Sequence, residues 1–247
     1  MKLLLSLIST EMIKLRRTLA LWMVVIAPSI VVLLQSLIML NQKEGIGYDA
    51  DLWLMYSTNI LSIWGIFMFP MFCCLVVALV YHYEHVNGGW QRIYTLPVPE
   101  WMILVSKQAS AFYLLVLSSF FLFGLTIAGG WLTGYFHPAI DMPDDIPVAE
   151  MALRSVKVLG ASLFVFAIQN WVSYRWSSLS VPIGTGIAGT FFALFATGWK
   201  YGYLYPWLLS LNSVFGNDGR DVTALIVGIS GGLFVLLAMV VFRKRNS

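Results

Sequence analysis

Apolar runs dominate the chain, and polar clusters interrupt them at intervals set by the width of a bilayer. A transmembrane helix needs about 20 mainly apolar residues. Six stretches have that character: Leu19–Leu40, Leu52–Tyr83, Ile103–Gly130, Val156–Tyr174, Val181–Trp199 and Val222–Phe242. The second is longer than a bilayer requires, so its end is expected to project into water. Ahead of the first run, Leu4, Ile8, Met12 and Leu15 share one helical face and Thr10, Lys14 and Arg17 another. That pattern predicts an amphipathic helix lying in the membrane interface.

Between the second and third runs lies a polar, glycine-broken stretch, Glu84–Trp101, that is too patterned for a plain connector. Val86, Trp90 and Ile93 fall on one helical face, with Gln91 and Arg92 on its flanks. Gly88 and Gly89 loosen the chain before it, and Pro97 and Pro99 end it. A short helix with a central Trp suits a groove on a partner. It equally suits the inner membrane surface, and spacing alone leaves both readings open.

Composition fixes the solvent. Of 247 residues, 59% are hydrophobic and 11% charged, whereas a soluble domain carries roughly 25% charged residues. The expectation is an all-α polytopic membrane protein of about six transmembrane helices, with residues 1–247 forming one domain. The net charge of +3 gives no reason to expect a nucleic-acid partner. No cleavable leader is predicted, since Glu11, Lys14, Arg16 and Arg17 break the early apolar run and no small-residue cleavage site follows.

Basic residues set direction. With the N-terminus inside, Lys2, Lys14, Arg16, Arg17, Arg92, Lys107, Arg175, Arg243, Lys244 and Arg245 fall on the inner side. Lys43, Arg154, Lys157, Lys200 and Arg220 fall outside. The excess predicts that both termini are cytoplasmic. Outside, Trp131–Ser155 is acidic and proline-bearing. The aromatic stretch Lys200–Asp221 reads either as a broken helical hairpin dipping back into the membrane or as an interfacial anchor.

Several local patterns have competing explanations. Gly228-Ile229-Ser230-Gly231-Gly232 fits G-x-S-x-G, the frame of a serine nucleophile. No histidine follows it, and small residues also let membrane helices approach closely. An intramembrane hydrolase around Ser230 is therefore the alternative function, beside a non-transporting membrane scaffold. Gly184, Ala188 and Gly189 read as a packing face. Gln35, Gln169 and Asn170 are the polar groups nearest membrane depth. They are candidates for a substrate path, although interhelical hydrogen bonds are the commoner use of amides. His82, Glu84 and His85 are zinc-type ligands at poor spacing, so no metal site is assigned. The adjacent Cys73 and Cys74 suit buried packing.

A family resemblance joins these parts. A long second span, Glu84 at its end, Gly88 or Gly89 in a short helix, a Leu96–Pro97 stop and Lys107 entering the third span together resemble the permease subunits of type-2 ABC exporters. The N-terminal helix ending Lys14-Leu15-Arg16-Arg17 resembles the family's opening helix. The family often has a basic residue soon after the proline, where Glu100 and Trp101 stand here. The resemblance implies a cytoplasmic coupling helix that receives force from a separate ATPase, with Glu84, Gly89, Trp90, Arg92 and Pro97 as its coupling residues. No G-x-x-x-x-G-K-S/T phosphate loop occurs in the sequence, so ATP and Mg are expected on two copies of that partner and no cofactor on this chain. A second permease, identical or related, would complete the pathway. Within the family, chains of this size resemble lantibiotic-immunity and bacitracin-resistance permeases of bacterial-type plasma membranes. That implies a transport subunit, itself no enzyme, which expels an amphipathic peptide or lipid-like substrate from membrane lipid.

Overall fold

A computed structural model describes residues 2–16, 18–41, 52–86, 89, 95, 98–136, 142–215 and 219–246. Among these there is no strand. The helices are α1 (Lys2–Leu15), α2 (Leu19–Leu40), α3 (Leu52–Ile63), α4 (Phe69–Val86), α5 (Glu100–Phe136), α6 (Val148–Ala161), α7 (Leu163–Arg175), α8 (Ser180–Ala196), α9 (Leu209–Phe215) and α10 (Arg220–Asn246). The all-α polytopic membrane architecture expected from the sequence is present.

Among the described residues, five helical segments are long and apolar enough to cross a bilayer: Leu19–Leu40, Leu52–His85, Glu100–Phe136, Val148–Arg175 and Arg220–Lys244. The remaining expected span is α8, an apolar helix of 17 residues. At 1.5 Å per residue it reaches only about 25 Å, short of the roughly 30 Å hydrocarbon core.

The second span is the hub. Of its most apolar window 61% is buried, against 17% for the last span. Tyr56, Trp64, Phe69, Phe72 and Tyr81 fill the space around it. α2 packs along α5, α4 against α7 and α8, and α7 along α10. Because lipid is as apolar as leucine, such packing relies on close fit and interhelical hydrogen bonds.

Prolines inside two spans show how those bonds arise. Pro28 in α2 has no N–H, so the Val24 carbonyl loses its helical partner. Ser118 of α5 donates its hydroxyl to that carbonyl at 2.9 Å. The second span contains a π-helical turn, Trp64–Met68, where the Phe69 N–H bonds Trp64 O. This leaves Gly65 O facing residue 70, a proline. Ser210 of α9 fills the vacancy, donating to Gly65 O at 2.8 Å. In a membrane, freed carbonyls need such partners.

One boundary differs from expectation, and one open reading is narrowed. The Trp131–Ser155 stretch is shorter as a loop than its acidity suggests, because α5 runs on to Phe136 and α6 begins at Val148. Within the added turns of α6, Arg154 pairs with Glu150 one turn earlier, and just beyond them Lys157 lies 3.4 Å from Asp221 of α10. Within the Lys200–Asp221 stretch, the described residues 200–215 form two 3-10 turns, Gly202–Leu204 and Pro206–Leu208, followed by α9. Trp207, Leu208 and Leu209 are buried, so it enters the bundle as a broken helical segment.

The G-x-S-x-G run is a crossing point. A Cβ on Gly228 would sit 2.5 Å from Ala161 Cα, and one on Gly232 would sit 2.6 Å from the Leu163 carbonyl carbon. These glycines let α10 cross the break between α6 and α7 at Ser162. Ser230 points elsewhere: it is exposed and its hydroxyl donates to Ile226 O.

Candidate functional site

Lys107 stands on the buried stripe of α5, one turn beyond Ile103 and Leu104, one before Ala111 and two before Leu114. It is fully buried. A buried ammonium is costly unless paired and hydrogen-bonded, and here two carboxylates meet it. Its Nζ lies 3.0 Å from Glu11 Oε2 and 3.2 Å from Glu84 Oε1. The Val80 carbonyl adds a third acceptor at 3.5 Å.

Lys14 closes the set. Its Nζ is 3.0 Å from Glu11 Oε1 and 2.7 Å from Glu84 Oε1. Burial by itself pulls this ammonium's pKa down, but the hydrogen bond to Glu84 and the charge of Glu11 outweigh it. The result lies above the ordinary 10.5. Two acids and two bases thus alternate, with no net charge and each carboxylate shared by both lysines. The cluster joins α1, the last turn of α4 and the first turns of α5.

The joint sits beside the connection between the second and third spans. A Cβ on Gly89 would lie 2.9 Å from Glu84 Cα and collide with the Glu84 carboxylate. Glycine at position 89 therefore allows the backbone there to rest directly on Glu84. Of the five expected coupling residues, Glu84 and Gly89 are brought together in this way. Trp90, Arg92 and Pro97 lie outside the described residues.

Further polar contacts bind the same end of the bundle. Tyr81 donates to Asn170 Oδ1 at 3.2 Å, and His85 Nε2 lies 3.2 Å from Ser173 O. Glu100, in the first turn of α5, pairs with Arg243 of α10. Glu84 and His85 thus serve separate helix contacts, and no group of three or more metal-type side chains occurs among the described residues.

The amides considered for a substrate path are all buried. Asn170 accepts from Tyr81 and donates to Phe166 O at 2.8 Å. With its amide oriented to suit its neighbours, Gln169 donates to Pro182 O and accepts from the Gly186 N–H, both at 3.2 Å. Both hold helices together. Gln35 is buried on α2. Of the small residues on α8, Gly189 faces Trp207, whereas Gly184 faces open space.

The sequence pattern missed the roles of Glu11 and Lys14. Helical periodicity puts Lys14 on the polar face of α1, yet that part of the helix turns toward α5. A signal was present in Lys107, which stands inside the expected third span, where a lysine requires a partner.

The family model described as ABC-2 family transporter protein matches residues 7–193, well over half of the chain. The chain belongs to this family. No curated protein and no solved structure matches it significantly. As an ABC-2 permease it is a multi-pass membrane transport component, and membership implies partnership with an ABC ATPase subunit. The matched stretch contains all four residues of the ionic cluster. It ends before α9 and α10.

Proposed function

We propose that this ABC-2 permease is the membrane half of an exporter whose ATPase docks on the Glu84–Trp101 connection, and that the Glu11–Lys14–Glu84–Lys107 cluster carries the resulting movement into the bundle. The carrying observation is Lys107, buried and shared between Glu84 and Glu11 at 3.2 and 3.0 Å. Separating such charges exposes each to an environment that cannot solvate it, at about 3–5 kcal/mol for a broken buried pair. The ends of α1, α4 and α5 therefore move together when force reaches Glu84.

In this reading two ATPase subunits bind ATP and Mg, and a second permease, identical or related, completes the complex. Both termini are cytoplasmic in a bacterial-type plasma membrane, as the basic-residue bias supports. The substrate class is an amphipathic, membrane-resident molecule, such as an antimicrobial peptide of the lantibiotic or bacitracin type. Support for that class comes from the apolar bundle and from buried amides engaged in helix contacts. A substrate that stays in lipid can be moved by a shift between two bundle states that bind it differently.

Reconstitution with the ATPase tests the whole reading. A fluorescent lantibiotic bound to the vesicle membrane should be released on ATP addition with wild type. Glu84→Gln should leave the complex assembled and abolish release. Unchanged release by Glu84→Gln would remove the cluster from the mechanism. Absence of release by wild type would remove the peptide substrate.

A further inference from the structure

Between α7 and α10, at the same end of the bundle as the ionic cluster, lies a cavity of about 650 Å³. That is within the range of roughly 300–1,000 Å³ typical of small-molecule sites. Its walls include Trp171 and Met239, and Phe234 and Phe242 form an exposed rim, so it opens sideways. Arg175 and Arg243 line it at the ends of their helical faces, giving it one basic pole and an otherwise apolar trough.

The two arginines are not equivalent. Arg243 is neutralised by Glu100 and stacks 6.0 Å from the Tyr174 ring. Arg175 has no carboxylate partner among the described residues. Its guanidinium lies 6.0 Å from the Trp176 ring, and Trp176 stands edge-on to Trp171 at 5.5 Å. Tryptophans favour the headgroup level of a bilayer. A guanidinium at that level, above an apolar trough, matches a lipid phosphate above an acyl chain.

We propose that this cavity binds one anionic phospholipid from the adjoining leaflet, with its phosphate on Arg175 and an acyl chain along Trp171 and Met239. The unneutralised charge favours an anionic lipid over a zwitterionic one and disfavours a cationic peptide. The α10 wall of the cavity lies beyond the residues matched by the family model.

Native mass spectrometry of the purified full chain in mild detergent tests this, with phosphatidylglycerol and phosphatidylcholine of identical acyl chains as probes. One phosphatidylglycerol should bind more tightly than phosphatidylcholine. Arg175→Gln should weaken the former about fivefold and the latter distinctly less, since choline offsets the charge of its phosphate. Ala238→Trp, which fills the trough, should weaken both. Equal binding of the two lipids, insensitive to Arg175→Gln, would overturn the proposal. So would efficient Phe234→Cys cross-linking between two permease copies with phosphatidylglycerol present, because a second copy would then cover the cavity. Arg175 is exposed, so its substitution reads binding and not folding.

Discussion

Lys107 and Glu84 meet at 3.2 Å across the junction of the third and second spans, with the lysine fully buried. The pair is part of a neutral set of four, so removing one member leaves an uncompensated charge. Lys107→Met should cost about 3–5 kcal/mol of stability. Adding Glu84→Gln should recover part of that loss, since the second substitution removes the stranded carboxylate. Thermal unfolding of both single variants and the double variant in detergent gives the coupling between them. Additive losses would show that the two side chains act independently.

Ser118 and Val24 offer a cleaner cycle. Ser118→Ala should cost about 1–3 kcal/mol, because the carbonyl freed by Pro28 is left unpaired. In a Pro28→Ala background, residue 28 regains its N–H and Val24 O regains a helical partner. The same Ser118→Ala substitution should then cost distinctly less. Equal losses in both backgrounds would contradict the role assigned to Ser118.

On α10, Ser230 and its flanking glycines should behave oppositely. Ser230→Ala should change stability by less than about 0.5 kcal/mol, as expected for an exposed side chain. Gly228→Leu should destabilise strongly, because its Cβ would press on the backbone of Ala161. Chemical unfolding of the two variants separates a packing motif from a catalytic one. Retained transport by Ser230→Ala in reconstituted vesicles would agree with packing, and lost transport would revive a chemical role.

Alkaline pH should loosen α1. The Lys14 ammonium is held above its ordinary 10.5 in the folded chain. A raised folded value means that its stabilising contribution is complete below the unfolded pKa and is lost as pH rises through the folded one. The melting temperature should therefore fall above about pH 10.5 by more in wild type than in Lys14→Met. Identical alkaline profiles would show that Lys14 contributes nothing through its charge.

Much of the membrane architecture was legible locally. Leu19–Leu40 is bounded by charged and polar residues on both sides, so its limits follow from composition. The turns at 148–155 were hidden because their charges and the prolines before them resemble a loop, whereas Glu150 and Arg154 lie one helical turn apart and pair. The ionic cluster was harder to read, since residues 11, 14, 84 and 107 share no local periodicity. Only the cost of burying Lys107 pointed to partners, and it did not say which acids would supply them. Helical periodicity also gave Lys14 a solvent face because a helical wheel does not show where a neighbouring helix will lie. Ser118 and Ser210 became intelligible once the prolines opposite them were placed.

In the proposed mechanism a separate ATPase seats on the connection after Glu84. Co-purification of the permease with that ATPase from nanodiscs, comparing wild type, Trp90→Ala and Glu84→Gln, tests it most directly. The proposed docking predicts that the ATPase accompanies wild type and Glu84→Gln but is lost from Trp90→Ala. An ATPase absent from wild type, or retained undiminished by Trp90→Ala, would contradict it.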